Sequence, residues 1–406
     1  LKKYIVGGFV RDTILGKIPK DKDWVVINSN IDEMLSLGFI LVGNDFPVFI
    51  HPNNREEHAL ARRERKIGKG YSGFKTDINN VSLEEDLMRR DLTINSIAFN
   101  PETNEYIDPF NGISDLKNKI LKHTSDAFME DPLRVLRVAR FNSRFPDFKI
   151  DESTIRIMCA LVLSGEINNL TPERVWLETE KAMSEKNPSI YFNVLDSCGA
   201  LEILFPELYN LKNIPQDKIH HPEGDCYTHS ILTLLAACKL SENINVRFAS
   251  LFHDLGKANS SKEHLPKHHG HEEESEKIVN LLLDKYKTNS ELKRICAFVA
   301  KNHMRIHNLK EMRAVKIVDI ISSIRGFQNK EIIKQIGICC ISDKLGRLKE
   351  NIDYNNHHIL LKIIDNCEKL NYKEITTGYT GDIAKNKVRN ARANVVKNVI
   401  KEFSNG

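Results

Sequence analysis

The spacing of apolar positions changes character about a third of the way along the chain. Over the first hundred residues or so, short apolar runs alternate with turn formers, which is the signature of strands. Residues 4–6, 24–27, 48–50 and 59–61 are candidates, and 96–100 with 106–107 reads as a hairpin around 101–104. Helical spacing fits 31–37 and 83–89 between them. After Asp131 apolar residues recur three and four apart almost to the end, and strand signals become rare. The pattern predicts an α+β chain, with an α/β head followed by an all-helical remainder and a boundary near residue 140.

Length and composition refine this picture only in places. The 406 residues exceed one ordinary core and imply two or three domains. With 41% hydrophobic and 28% charged residues, the composition argues against disorder. A formal charge of +4 permits a polyanionic partner, and it matters only where positive charge is clustered. No run approaches the ~20 apolar residues of a membrane helix, and the start reads as a strand and glycine turn instead of a leader peptide. The eight cysteines form no C-x-x-C pair, which suits buried thiols in a cytoplasmic protein. The polar segment 213–224 reads as a linker. Histidines are frequent from His220 to His307, and 384–403 reads as a basic amphipathic helix carrying Lys385, Lys387, Arg389, Arg392, Lys397 and Lys401. A solvated face and a contact with RNA phosphates are equally open readings of that helix.

Candidate chemistry is concentrated in a few motifs. Val6-Gly7-Gly8-Phe9-Val10-Arg11-Asp12 puts two glycines after a strand, where backbone can approach a phosphate, and adds a forked cation in the next turn. Asp21 and Asp23 follow at a spacing that places two carboxylates on one strand face beside that turn, as divalent-metal chemistry on a triphosphate requires. Alone, an Asp-x-Asp is more often a solvated turn; the glycine–arginine turn just upstream tips the reading. Arg89-Arg90-Asp91 can bind phosphate and a ribose hydroxyl. In Glu130-Asp131-Pro132-Leu133-Arg134-Val135-Leu136-Arg137-Val138-Ala139-Arg140-Phe141, Asp131 suits a helix N-cap, and Asp131, Arg134, Arg137 and Arg140 form one polar stripe. Gly68-Lys69-Gly70-Tyr71-Ser72-Gly73 spells a dinucleotide fingerprint, but it follows a charged run and opens no helix, so a basic loop is the better reading. Further on, His229, the pair His253-Asp254, and Asp343 lie in separate helical patterns and can hold one or two divalent metals. His268, His269, His271 and His303 are candidates to line the same cleft.

Taken in order, these motifs make the chain resemble the bacterial class II tRNA nucleotidyltransferases, most closely the bifunctional CCA-adding type with an HD domain. The likeness runs from Val6 to the segment 377–381 and the helix after it. It implies a nucleotidyltransferase head with its template helix (1–140), a helical neck and body contacting tRNA (141–218), an HD phosphohydrolase domain (219–350) and a helical tail (351–406). By the same resemblance, Gly8 and Arg11 would contact the incoming CTP or ATP, Asp21 and Asp23 would bind Mg²⁺, and Arg90 and Asp91 would lie near the ribose. Asp131 and Arg134 would imitate a template at the base edge, Arg137 and Arg140 would complete the nucleotide site, and Glu173-Arg174 would support the template helix. The HD set His229, His253, Asp254 and Asp343 would hold Ni²⁺ or another divalent transition metal. The implied state is a monomer or homodimer, and no third head carboxylate is placed.

Overall fold

The computed structural model describes residues 1–19, 21–42, 47–66, 74–347 and 354–404. The glycine-rich loop at 68–73 falls outside them. Contacts within the chain divide it into two compact units, Leu1–Lys186 with Ile190–Leu204, and Asn187–Ser189 with Phe205–Gly406.

The first unit opens with β1 (Lys2–Val6), α1 (Gly8–Ile14), β2 (Asp23–Ile27), α2 (Ile31–Ser36), β3 (Ile40–Leu41), β4 (Val48–Ile50) and β5 (Glu57–Leu60). After β6 (Arg63–Lys66), β7 (Phe74–Asp77) and α3 (Leu83–Met88) come the hairpin β8 (Ala98–Asn100) and β9 (Glu105–Ile107), then α4 (Gly112–Asn118) and β10 (Ile120–Leu121). It closes with α5 (Leu133–Arg144), β11 (Lys149–Ile150), α6 (Glu152–Leu163), α7 (Pro172–Met183), most of α8 (Ser189–Ser197) and α9 (Ala200–Leu204).

Seven strands form one sheet in the order β3-β4-β5-β2-β1-β8-β9. Only β2 and β5 pair in parallel; their neighbours are antiparallel. Alternation along β2 fixes the two faces. Val25 packs with Val6, Ala61, Leu87 and Ala98, whereas Val26 packs on the other side with Met34, Phe49 and Leu60. Ser82 and Glu85 start α3 as a reciprocal capping box. Asp131 accepts from the Leu133 amide at 3.0 Å, but the N-cap position of α5 falls on Pro132, one residue later than expected. The expected strands and helices are present with ends displaced by one or two residues. The two-residue strands and the separate β6–β7 pair, by contrast, lack any apolar alternation that could have announced them.

The second unit is built from helices, with no strand among its described residues. It contains α10 (Pro206–Tyr209), α11 (Cys226–Leu240), α12 (Ile244–Phe252), α13 (His271–Lys285), α14 (Ser290–His307), α15 (Ala314–Ser323), α16 (Lys330–Leu345), α17 (Asn356–Glu368), α18 (Tyr372–Thr376) and α19 (Gly381–Ser404). Asp225, Asn243, Asn289 and Asn329 cap α11, α12, α14 and α16 through their side chains. The polar segment 213–224, expected to be a linker, is built into this unit: Pro215 bridges to Asp225, the Asn213 amide donates to Asp225, and Gln216 is buried. In α19, Arg389 forms a paired contact with Asp319 at 2.7 Å and Arg392 lies 4.0 Å over the Phe327 ring. Two of its six cations therefore hold the helix to its own unit. No described helix is long and apolar enough to cross a membrane.

Two glycines bring the histidine-bearing segments together. A Cβ on Gly256 would stand 2.3 Å from the His271 carbonyl oxygen and 2.4 Å from the Ser275 amide, so the turn after Asp254 can lie on α13 only because position 256 has no side chain. A Cβ on Gly346 would meet Thr233 Oγ1 of α11 at 2.6 Å, at the end of the helix that carries Asp343. Gly256→Ala is therefore expected to lose roughly 1–3 kcal/mol of stability or more through overpacking against backbone. Chemical denaturation followed by circular dichroism measures this, and wild-type stability would contradict the close approach.

Candidate functional site

In the first unit a cleft of about 600 Å³ opens where β1, α1, β2, β5 and α5 converge. Among the described residues, nine arginines line it (Arg11, Arg62, Arg89, Arg90, Arg134, Arg137, Arg140, Arg144 and Arg174) against four carboxylates, Asp23, Glu57, Asp91 and Asp131. Positive charge that is modest for the whole chain is thus gathered in one place, where a polyanion can be bound. Gly7 takes φ +71°, and a Cβ there would lie 3.3 Å from Arg90 Nη1, so the turn needs glycine for conformation and for room.

Asp23 begins β2, and Asp21 stands in the irregular segment before it. The parallel register sets Asp23 beside Glu57 of β5. Paired residues share a sheet face, so Glu57 adds a carboxylate that the sequence reading did not place. Partial desolvation raises the Asp23 carboxyl above its ordinary value, Arg90 pulls it down, and Glu57 and Asp21 push it up again. Acids gathered this way repel one another until a cation joins them, which suits a divalent ion.

Behind the cleft, buried carboxylates hold the arginines. Arg11 is 3% exposed; it donates to Asp12 Oδ1 at 2.9 Å and Asn95 Oδ1 at 2.7 Å and lies over the Phe141 and Phe145 rings. Asn95 donates onward to Asp91 Oδ1 at 3.0 Å, and Asp91 Oδ2 accepts from Arg137 Nε at 2.7 Å. Arg140 donates to Glu178 of α7 at 2.7 Å. Asp86, fully buried, accepts from Arg89 at 2.6 Å and from Arg90 at 3.2 Å. Arg134 donates to the carbonyl oxygens of Ala127 and Arg89, both at 2.5 Å, and Arg174 donates to Asp131 Oδ2 at 2.9 Å. Every singled-out head residue except Asp21 lines the cleft; Asp91 is there mainly as an anchor, since both its oxygens are engaged. Asp86 and Glu178 were missed. Asp86 stands three and four residues before its arginines, a spacing that could have revealed it; Glu178 lies on a different helix from its arginine partners, and no local spacing ties it to them.

In the second unit His229, His253, Asp254 and Asp343 come together from α11, the end of α12 and α16. His229 Nε2 lies 3.0 Å from Asp343 Oδ1 and 3.9 Å from Asp254 Oδ2, and His253 Nε2 lies 3.1 Å from Asp254 Oδ2. Asp254 Oδ1 also faces His271 at 3.3 Å and His303 at 3.4 Å. Four overlapping sets of three donors, each within 4.8 Å, occur among the described residues, all in this unit. His253 Nε2, Asp254 Oδ1 and His271 Nε2 are buried without a hydrogen-bond partner. Atoms left without partners, within a set of imidazoles and carboxylates converging from five segments, fit one or two divalent ions.

Burial pushes the Asp254 and Asp343 carboxyls up, but His253 and Lys257 around the first, and Arg347 and His307 around the second, hold both well below the ordinary range. Neither would need to lose a proton to receive a cation at neutral pH. His271 and His303 join the set, whereas His268 is engaged by the Pro215 carbonyl and Ser260 and lines the mouth with His269. His307 contacts Asp343 Oδ2 and was missed, although it follows His303 by four residues on one face of α14. The mouth is a cleft of about 390 Å³ also lined by Lys267, Arg347 and the buried Lys257, whose Nζ lies 2.6 Å from Asp254 Oδ2.

The head network has a pH signature. Burial pushes the Asp91 carboxyl up, yet Arg137 and the hydrogen bond from Asn95 outweigh it and hold it at about 2, against an ordinary 3.8. A depressed carboxyl stabilises the folded state above its unfolded pKa and loses that contribution as pH falls through the folded one. Asp91→Asn should therefore cost roughly 2 kcal/mol at neutral pH, and the gap should close between about pH 4 and pH 2. Denaturant unfolding of both proteins across that range checks it; a gap independent of pH would count against the pairing.

Three family models match the chain: the Poly A polymerase head domain over residues 3–122, the probable RNA and SrmB-binding site of polymerase A over 147–211, and the HD domain over 226–348. The multifunctional CCA protein of Hahella chejuensis is 43% identical over 98% of this chain and 95% of its own length. That of Shewanella denitrificans is 47% identical over 86% of this chain and 84% of its own. Among solved structures, the complex of a CCA-adding enzyme with CTP superposes with a TM-score of 0.64 at 23% identity, over 98% of this chain and 90% of that one. The Thermotoga maritima CCA-adding enzyme complexed with tRNA gives 0.60 at 21%, over 99% and 91%. At those identities the structural likeness speaks for the fold, while the curated relatives speak for descent. A chain this similar to such relatives along nearly all its length belongs to the multifunctional CCA protein family.

Proposed function

We propose that this chain adds and repairs the 3′-terminal CCA of tRNA from CTP and ATP without a nucleic-acid template, and that its second unit is a metal-dependent phosphohydrolase. The observation that carries the first activity is the arginine-lined cleft with carboxylates at its mouth, in a chain of this family. Residues 141–218 would carry tRNA as neck and body, the HD domain would span 219–350, and 351–406 would form the tail. The eight cysteines are all free, which suits a reducing cytoplasm.

Asp21 and Asp23, joined by Glu57, would hold Mg²⁺. Bound there, Mg²⁺ supplies charge neutralisation at the attacked phosphate and the departing pyrophosphate. The chain's own residues do the rest. The Gly7–Gly8 turn lets backbone approach the triphosphate, with Arg11 behind it; Arg90 lies toward the ribose, with Asp91 anchoring the arginine row. Arg137 and Arg140, held by Asp91 and Glu178, balance phosphate charge without having to reorganise when the nucleotide arrives. Base choice falls to Asp131 and Arg134. The first is steadied by Arg174 and the second by two carbonyls, so the pair acts as a fixed edge for C or A.

His229, His253, Asp254 and Asp343 would hold the first ion of the second unit, nickel by the family resemblance, and His271 and His303 a second. Such an ion supplies Lewis acidity toward a water and a phosphoryl oxygen. Lys257 and Arg347 at the mouth are placed to receive the phosphate of a 2′,3′-cyclic or terminal phosphate ester.

Incubating tRNA that lacks CCA with the chain, Mg²⁺, CTP and ATP, and sequencing the products, tests the first activity. Growth by CCA and no further is expected. A run of A residues would favour a poly(A) polymerase instead. Asp23→Ala should abolish addition and spare hydrolysis of a 2′,3′-cyclic nucleotide, while His253→Ala with Asp254→Ala should do the reverse. Loss of both activities in either well-folded variant would refute two independent sites.

A further inference from the structure

Just before α11 the chain turns through Pro222, Glu223 and Gly224, with Gly224 at φ +114°, a conformation that L side chains rarely adopt. The Glu223 carboxylate is fully shielded from solvent. Its Oε1 lies 2.7 Å from His229 Nδ1 and 2.8 Å from His221 Nδ1. The opposite nitrogen of His229, Nε2, faces Asp343 and Asp254 and is grouped with His253. An ionised carboxylate only accepts, so Nδ1 of His229 must carry a proton and donate it to Glu223. With Nδ1 committed to Glu223, Nε2 is the ring nitrogen left to face Asp343 Oδ1, 3.0 Å away.

We infer that Glu223 is a positioning residue of the second unit's metal site, fixing the tautomer and orientation of His229 so that Nε2 is delivered as a ligand, with His221 holding the carboxylate in place. This rests on the metal-site reading above and adds to it a residue outside the donor set. An outer carboxylate on a ligating imidazole raises its basicity and sets its direction, and losing such a partner commonly weakens metal binding by about 10- to 100-fold. Because Glu223 Oε2 is buried without a hydrogen-bond partner, and His221, Glu223 and His229 themselves lie within 4.8 Å, the rival possibility is that Glu223 ligates an ion of its own.

The test titrates the metal-stripped full chain with Co²⁺, by calorimetry and by the visible absorption of the bound ion. Glu223→Gln keeps the shape and removes the charge. The expected result is binding weakened about 10- to 100-fold, the same number of ions per chain, an altered Co²⁺ absorption and an apo-protein unfolding midpoint near wild type. Unchanged affinity would overturn the inference, and so would one ion fewer per chain, which would make Glu223 a ligand. Should Glu223→Gln fail to fold, His221→Gln decides: weaker Co²⁺ binding supports the positioning chain, and wild-type binding overturns it. Absence of Co²⁺ uptake by the wild-type chain would refute the metal-site reading itself, a different failure from a variant that binds as well as wild type.

Discussion

A guanidinium taken out of water must be given a carboxylate, and buried carboxylates shared among several partners organise both halves of this chain. An unpaired buried charge costs several kcal/mol, and removing one partner of a buried pair typically costs about 3–5 kcal/mol. In the head, Asp86, Asp91 and Glu178 meet this demand for five arginine contacts, and none of the three is more than 5% exposed. Their role is to let cations be stored, already aimed, along a cleft wall. In the second unit buried carboxylates are shared among imidazoles: Glu223, Asp254 and Asp343 are each contacted by at least two.

The scaffold follows from that placement. The sheet register puts Val6, Asp23 and Glu57 in one row, so the glycine turn after β1 and the acids of β2 and β5 share an edge. Helix α5 then presents Arg134, Arg137 and Arg140 at three-residue spacing, with Leu136, Val138 and Ala139 packed beneath. In the helical unit, backbone contacts at Gly256 and Gly346 let three helices approach closely enough for donor atoms on separate segments to meet within 4.8 Å.

Much of this was legible in the chain because it is local. Strand alternation at β1 and β2, the proline-marked start of α5 and the His253-Asp254 pair all announce themselves within a few residues. What was hidden depends on pairing between distant segments. Glu57 sat just ahead of a strand assigned two residues late, and only the β2–β5 register reveals that it stands beside Asp23. Glu178 reads as one more acid on a helix until Arg140 is seen against it. Glu223 fell in a stretch whose prolines and polar residues suggested a linker, because sequence texture does not distinguish a mobile polar segment from one whose polar groups are buried and paired. Arg389 and Arg392 show the converse: a basic stripe looks free until Asp319 and Phe327 arrive from another helix.

The central claim is that the head's arginines are set before the nucleotide arrives. A crystal structure of the chain with CTP bound tests it most directly. The account predicts that Arg137 stays on Asp91 and Arg140 on Glu178 to within about 0.5 Å of their positions here, with the nucleotide entering a cleft already formed. If either guanidinium instead leaves its carboxylate and swings to reach the phosphates, the buried acids are not what organises the site, and the account is wrong at its foundation.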